Sequence, residues 1–474
     1  MKKFTAALAA GLVLAIGCSD TIVSSENSPT SDALKGALTQ AGVQTLTLGV
    51  LANDRALVRG DLSYLILTAI FARDAYRIDP NEPRYVSETL AGTPDPGGFS
   101  GSGGWTNGYV TIRAANSLLT ALPGAVASQV SGAQRNVTIG FVQTIKALEY
   151  YRLLELRDTL GIALQPDDPA VVGPIVCKTT ALSYIAALLD SANASLTAAG
   201  GSTTLPLTLP SGFTGFGRNY STAANITLLN RGLKGKVDLY RGLDHQAPNA
   251  ALFATAITEL TQALGGAAPG TVPASQFNTG AYVTFVSGGT ENSANPIDDS
   301  RIGVNPKAQA ALQAGDTRSS KIIPRSTIAG GGVTTSVTYV GAATSNTANL
   351  TNPIAILRDE AVVLLRAQAY FENNQFVPGL ADLNSVRTTY GLAALTPADV
   401  LTLAAARQAL LYEKRFSLFF EGPQRLVDLR AYGLLKDGVT PPEVAGDPFN
   451  TAFPIPKGEA DARGGRANLT PTCS

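Results

Sequence analysis

The sequence predicts a mostly α-helical fold with long loop-rich insertions between the helices. Two observations carry this. Apolar residues recur at helical spacing through most of the chain, as at Phe141, Ile145 and Leu148 and at Leu182, Ile185, Leu189 and Ala192, which sets them on one helix face. From Gly265 to Thr351 that period fades and Gly, Thr, Ser, Asn and Ala dominate. Ordered loops of this length are commonly functional.

Taken in order, residues 50–75 read as a first long helix, and residues 106–122, 134–160, 178–198, 220–242 and 247–264 as the next five. The insertion, residues 265–351, carries short strand-like pieces at Tyr282-Val283-Thr284-Phe285 and at 333–340, expected as hairpins over one face. Helices resume at Pro353, where Ile354, Leu357, Ala361, Leu364 and Leu365 form one stripe. A turn at Asn373-Asn374 leads into a second helix bearing Phe376, Leu380, Leu383 and Val386. With Ala361, Ala369 and Tyr370 near the crossing, this pair looks like a tetratricopeptide unit. Residues 397–420 read as the last long helix, and Pro454 and Pro456 mark an extended tail.

The first residues point to export. Lys2 and Lys3 precede an apolar run from Ala6 to Ile16, then Gly17 and Cys18, the layout of a signal peptide. The run is shorter than the roughly 20 apolar residues a bilayer span needs. Residues 1–17 are therefore expected to be removed, with a lipid on Cys18 and residues 18–32 as a polar tether. Ordinary cleavage after Ala15-Ile16-Gly17 is the competing route. Stable anchoring needs more than one acyl chain. Asp20 does not directly follow Cys18, so the inner-membrane retention signal of enteric bacteria is absent and an outer-membrane location is expected. Residues 33–474 are expected to form a single domain. An exported compartment permits a Cys177–Cys473 disulfide; one buried thiol and one tail thiol is the other reading.

Charge and motifs narrow the function. Lys plus Arg and Asp plus Glu each number 36, and loss of Lys2 and Lys3 leaves a slightly acidic chain. Without a basic surplus, nucleic acid is not an expected partner. The single His245 has no His or Cys companion at ligand spacing. No P-loop or Gly-x-Ser-x-Gly elbow occurs, so no cofactor, metal or catalytic residue is expected. Asp298-Asp299 reads as a calcium contact or, more simply, a solvated turn. The only tryptophan, Trp105, precedes a helix together with Asn107 and Tyr109. These three form either a sugar platform or a helix start, with Thr106 as cap and Trp105 stapled onto Val110. Arg73, Asp74, Tyr76, Arg77 and Asp79 form either the polar side of that site or a solvated helix end. Tyr282 and Phe285 are either its opposite wall or an ordinary strand. Near the C-terminus, Arg415, Glu421, Arg425, Asp428 and Arg430 fall among large apolar residues. Glu421 and Asp428 are either a catalytic carboxylate pair or partners of these arginines that fix a helix end. Gly422 would end that helix in a left-handed conformation.

The stretch Glu413-Lys414-Arg415, Phe419-Phe420-Glu421-Gly422, Arg425, Asp428-Leu429-Arg430 and Gly433 resembles the C-terminal signature of the SusD/RagB family. So do the preceding helix pair, with Ala381-Asp382-Leu383-Asn384-Ser385-Val386-Arg387, and the final Phe453-Pro454-Ile455-Pro456 with Glu459. Weaker matches run through residues 109–116, 147–160, Gly217-Arg218 and Gly315-Asp316-Thr317-Arg318, so the resemblance spans nearly the whole chain. Ser417 stands where the family usually has Glu, and Pro423 adds a residue before Arg425. The resemblance implies a SusD-like helical scaffold of tetratricopeptide-like pairs with loops facing a ligand. It implies an outer-membrane lipoprotein that binds a glycan, or in some members a peptide, and delivers it to a SusC-like TonB-dependent transporter. It implies a binding protein and not an enzyme. A protein-binding envelope adaptor is the alternative. Replacing Cys18 with Ala is expected to move the protein from the membrane to the soluble fraction in cells lacking the transporter; retention in the membrane would count against the lipid tether.

Overall fold

The computed structural model describes residues 38–59, 63–168, 171–285, 295–340 and 351–465. Residues 1–37, with Cys18 and the expected tether, lie outside the described residues, as does Cys473. Cys177 is disulfide-bonded.

The long helices form near the expected segments, some with shifted bounds, and a further short helix follows the last of them. They are α1 (Gln40–Arg59), α2 (Trp105–Ala121), α3 (Gly132–Arg157), α4 (Lys178–Ala199), α5 (Ala223–Gly242), α6 (Ala251–Ala263), α7 (Asp359–Glu372), α8 (Phe376–Thr389), α9 (Leu403–Ser417) and α10 (Gln424–Ala431). Caps set several starts. Ser131 and Gln134 form a reciprocal capping box at α3, which satisfies two of the backbone donors a helix start leaves open. Thr222 and Thr402 accept the N–H of Asn225 and Ala405 at α5 and α9.

Each helix from α1 to α7 packs on the next in chain order, except that the α6–α7 contact spans the whole insertion. α7 also packs on α8 and α9. α3 lies at the centre, buried from Thr144 to Arg157 on every side. Glycines let the axes approach: a Cβ on Gly140 would sit 2.5 Å from Leu196, and one on Gly235 would sit 2.5 Å from Leu260. The structure is mostly helical, and the α7–α8 pair turns through Asn374, at φ 56°, with only three residues between the helices.

Four two-stranded antiparallel ribbons complete the described residues. β1 (Ala75–Arg77) pairs with β5 (Ile302–Val304), and β2 (Ile162–Ala163) with β3 (Ile175–Val176). β4 (Gly280–Val283) pairs with β8 (Ile354–Arg358), and β6 (Ile322–Gly330) with β7 (Val333–Tyr339). The last is a tight hairpin, turned by Gly331-Gly332. The insertion is thus stitched into the scaffold at both ends, where the sequence suggested hairpins over one face. Three predicted helices also change. The first begins at Gln40, where Thr39 accepts the Gly42 N–H at 3.1 Å, and is described to Arg59, while Ser63–Leu67 is a π turn and Thr68–Phe71 a short helix. The helix expected from Pro353 starts only at Asp359, because Ile354–Arg358 pairs with β4. The segment 397–420 divides into a 3₁₀ turn, Pro397–Val400, and α9.

The described core falls into a large cluster among the helices, with a small one around Trp105, and a second large one that joins residues 57–90 to the C-terminal segment. There Phe71 stacks on Phe453 at 4.5 Å. The C-terminal signature works in this second cluster, and by longer reach than expected. Its arginines do not pair with its own carboxylates. Arg415 and Arg425 both reach Asp74, at 2.5 and 3.2 Å. Arg430 donates to the carbonyls of Glu155 and Thr451. Glu421 instead takes Arg358, and Asp428 takes Lys414 and the Tyr240 hydroxyl. Nor does Gly422 end a helix: α9 stops at Ser417, and Gly422, at φ 136°, lies in the turn that follows, two residues after left-handed Phe420.

Removing one partner of a buried ion pair leaves the other uncompensated, at a cost of about 3–5 kcal/mol. Asp74 is buried beneath two arginines, so Asp74→Ala is expected to lower the urea midpoint by a corresponding amount with the slope unchanged. A midpoint within error of wild type would show that the two chain ends are held by apolar contacts alone.

Candidate ligand-binding site

A cavity of about 310 Å³ opens among β8, the end of β4, the β6–β7 hairpin and the α9–α10 turn, within the size range of small-molecule sites. The β4–β8 pairing places its first wall. Tyr282 stacks on Phe216 at 4.2 Å and donates its hydroxyl to the Asn278 carbonyl. From the hairpin, Tyr339 stacks on Phe420 at 5.0 Å. Two Asn-Pro dipeptides, at 295–296 and 352–353, frame the rim; the Asn295 amide donates to the Asn352 carbonyl at 2.7 Å.

The floor is Arg358, the last residue of β8. Its Nε donates to both oxygens of Glu421 at 2.9 and 3.0 Å, and its second nitrogen to Glu421 at 2.8 Å and the Ser417 carbonyl at 2.9 Å. The third nitrogen reaches the Glu360 carboxylate and the Phe277 carbonyl. Burial opposes the charge on Arg358, but Glu421 and Glu360 outweigh it and hold the guanidinium well above its usual pKa. Burial likewise works to raise Glu360, but Arg358 and Lys321 overcome it and the carboxyl ends below its usual range. Tyr390 donates its hydroxyl to the same carboxylate at 2.9 Å.

Lys321 meets the cavity from the start of the hairpin and donates to the Phe416 and Ser417 carbonyls at 2.8 and 2.6 Å. These belong to the last turn of α9, where a cation satisfies open carbonyls and opposes the helix dipole.

A second cavity, of about 360 Å³, shares Tyr282 as a wall. Its lining is largely apolar, with Leu48 and Leu51 from α1, Phe213, Val283 and Ile356.

Of the ligand-facing residues expected from the sequence, Tyr282 alone lines the polar cavity. Trp105 is buried: its Nε1 donates to Glu459, Tyr109 meets it edge-on at 4.8 Å, and the Arg157 guanidinium lies 5.3 Å from its ring. An indole covered in this way has no face left for a sugar. The capping alternative fails too, since Gly104 holds the N-cap at φ 69° without a side-chain cap, and Val110 is 46% exposed. Tyr109 is tied to the backbone of Ala163, and Asn107 is half-buried at the start of α2.

Arg73, Asp74, Tyr76, Arg77 and Asp79 are all buried, so they are neither a solvated helix end nor a wall of this cavity. Arg73 donates to the Leu90 and Pro448 carbonyls, and Tyr76 to Glu443. Arg77 pairs with Asp299 at 3.1 Å and Arg301 with Asp79 at 2.7 Å. Asp299 is therefore engaged by an arginine of β1 and does not form a free solvated turn. Phe285 is buried under Arg55. Glu421, read in the sequence as a catalytic carboxylate or an arginine partner, pairs with Arg358 and also faces the cavity. Arg358, Lys321, Tyr339, Tyr390 and the rim asparagines gave no short-range signal beyond the two Asn-Pro dipeptides.

Burial pushes Lys321 down to about 8, against the pull of Glu421. Between that value and the ordinary lysine value of about 10.4, the unfolded chain holds a proton that the folded chain has released. Stability attributable to Lys321 therefore rises with pH across this window. An NMR titration of lysine ε-carbons is expected to show one signal with a midpoint near 8 that is missing from Lys321→Met. A Lys321 midpoint above about 10 would contradict the burial argument.

No family model and no curated protein matches the sequence. Solved structures do. A SusD superfamily protein from Parabacteroides distasonis superposes with a TM-score of 0.63 at 13% identity, over 90% of this chain and 98% of the other. Surface glycan-binding protein A from Bacteroides thetaiotaomicron, in complex with laminarihexaose, does so at 0.65 and 14%, over 91% and 99%. A laminarin-binding SusD-like protein matches at 0.60 and 18%, over 88% and 96%. At such identities the likeness is one of architecture, and on that ground the protein has the SusD-superfamily fold.

Proposed function

We propose that this protein is a glycan-binding surface lipoprotein that takes its ligand in the cavity floored by Arg358 and delivers it to a TonB-dependent outer-membrane transporter. The observation that carries the reading is the chemistry of that cavity. Sugars need hydrogen-bonding groups for their hydroxyls and flat apolar rings for their C–H faces. Asn278 and Asn352 offer amides, Glu421 offers acceptor lone pairs, and Tyr282 and Tyr339 offer rings and phenols. A small number of fixed polar groups in a concave site is the usual basis of small-ligand specificity. Two proteins that share the fold, one in complex with laminarihexaose and one laminarin-binding, support a glycan over a peptide. The polar residues here are engaged in fixed pairs that suit holding a ligand. A role in binding, without turnover, is the reading they favour.

Delivery to a transporter and anchoring through Cys18 rest on the family resemblance and the signal-like N-terminus. In the candidate site, Asn278 and Asn352 are exposed, and of the two only the Asn278 side chain touches the floor, its Oδ1 accepting from Arg358 at 3.4 Å. Titration calorimetry on the detergent-purified full chain, after a glycan array has selected a ligand, is expected to show binding without product formation. Asn278→Ala with Asn352→Ala is expected to weaken it by about tenfold, two modest hydrogen bonds. Binding confined to peptides or to a protein partner, or release of shortened sugars, would overturn the proposal.

A further inference from the structure

We infer that the second cavity, between α1 and the β4–β8 ribbon, holds an apolar group, an alkyl chain or an aromatic ring, carried by the ligand whose sugar lies in the polar cavity. This rests on the glycan reading of the polar cavity and adds the class of substituent on the sugar. The second cavity measures about 360 Å³, more than twice the roughly 150 Å³ of an engineered apolar cavity that stays dry and takes up benzene. Leu48, Leu51, Phe213, Val283 and Ile356 give it apolar walls, and Leu48 and Ile356 are only half-buried. The charged residues that line it are engaged with other groups. Asp54 pairs with Arg152 at 2.7 Å, and the Arg55 guanidinium lies over the Phe285 ring at 5.4 Å. Water finds few partners in such a space, whereas a hydrocarbon group gains contact with walls that otherwise face a void.

The helix on one side keeps this space open. Gly49 lies midway along α1 and lines the cavity, although glycine in a helix interior is destabilising relative to alanine. Packing does not require it, unlike Gly140 and Gly235: a Cβ on Gly49 would meet no atom within 4 Å, and its backbone is not left-handed. Thr45 and Ala52, one turn to either side, also line the cavity and are small and exposed. The β4–β8 ribbon is the partition between the two cavities. Along β8, Ile354, Ala355 and Arg358 line the polar one and Ile356 the apolar one, while Tyr282 of β4 lines both. Stacking on Phe216 and the hydrogen bond to Asn278 hold that ring in place. A ligand that passes its edge sets a sugar on one side and a hydrocarbon group on the other.

The test is calorimetry on the full chain in lipid nanodiscs, where no free detergent competes, with empty nanodiscs as the blank. The probes are the methyl, butyl and hexyl β-glycosides of laminaritriose, with 1-hexanol as the apolar group alone. Affinity is expected to rise about threefold with each added methylene, so that the hexyl glycoside binds about a hundredfold or more tighter than the methyl one, and 1-hexanol is expected to bind weakly by itself. Gly49→Leu projects a side chain into the cavity and puts a better helix former in α1. It is expected to melt no lower than wild type and to cut the hexyl-over-methyl ratio by at least about tenfold. A hexyl glycoside no tighter than the methyl one would overturn the inference and leave the glycan reading standing. So would an undiminished ratio in a Gly49→Leu protein that melts as wild type does, since the hydrocarbon would then lie elsewhere. Binding of 1-hexanol with no binding of any glycoside would remove the glycan reading and, with it, the shared ligand.

Discussion

The buried guanidinium of Arg358 is the constraint on which the cavity and much of the scaffold around it depend. A guanidinium taken out of water is costly unless its donors find partners and its charge a counter-charge. Here Glu421 and Glu360 supply the charge, and the Ser417 and Phe277 carbonyls supply further acceptors. Those partners come from four different segments: the turn after α9, the first turn of α7, the end of α9 and the loop before β4. Satisfying one side chain therefore fixes the relative position of all four. Lys321 adds to the same point by closing the last carbonyls of α9. The end of α9 is thus held by Arg358 of β8 and by Lys321 of the insertion, which ties the β6–β7 hairpin to the helices.

A second set of charges does the same work for the chain ends. Asp74 receives Arg415 and Arg425, and Arg430 reaches back to the end of α3. Buried pairs of this kind are weak evidence of net stabilisation, because desolvation offsets most of their attraction. Their larger effect is on geometry. A planar fork demands a particular approach, and several forks from one short segment leave it one way to lie against residues 57–90. The apolar contact of Phe71 with Phe453 can then form at close range.

Much of the helical scaffold was legible in the sequence because each helix carries its own stripe and, in several cases, its own cap. Ser131 with Gln134 is visible within four residues. The errors fell where a local pattern satisfies two readings. Ile354-Ala355-Ile356-Leu357 suits a buried helix face and a strand equally, and only the presence of β4 decides it. The start of α1 was masked by weak helix formers, Thr45, Thr47 and Gly49, although Thr39 stood as a cap. The signature residues were recognised, but their partners were not, since Arg415 and Asp74 are 341 residues apart. For the cavity the sequence supplied Tyr282 and the Asn-rich setting. It misplaced Trp105 because burial of that ring depends on Glu459, far along the chain. Exposure is a tertiary property, and an aromatic residue beside glycines reads alike whether it faces solvent or a distant helix.

The union of residues 57–90 with the C-terminal segment bears on how the protein reaches its folded state. Helices α2 to α6 can assemble from neighbours in sequence, and contacts of that kind form early and quickly. The second apolar cluster cannot, since Phe419, Phe420, Leu426, Leu429 and Phe453 lie far along the chain from residues 57–90. Until they arrive, Asp74 lacks both arginines and Phe71 lacks the ring it stacks on. A chain made from its N-terminus must therefore carry an open apolar seam until residues 415–453 have emerged, and the seam closes only after the helices between are in place.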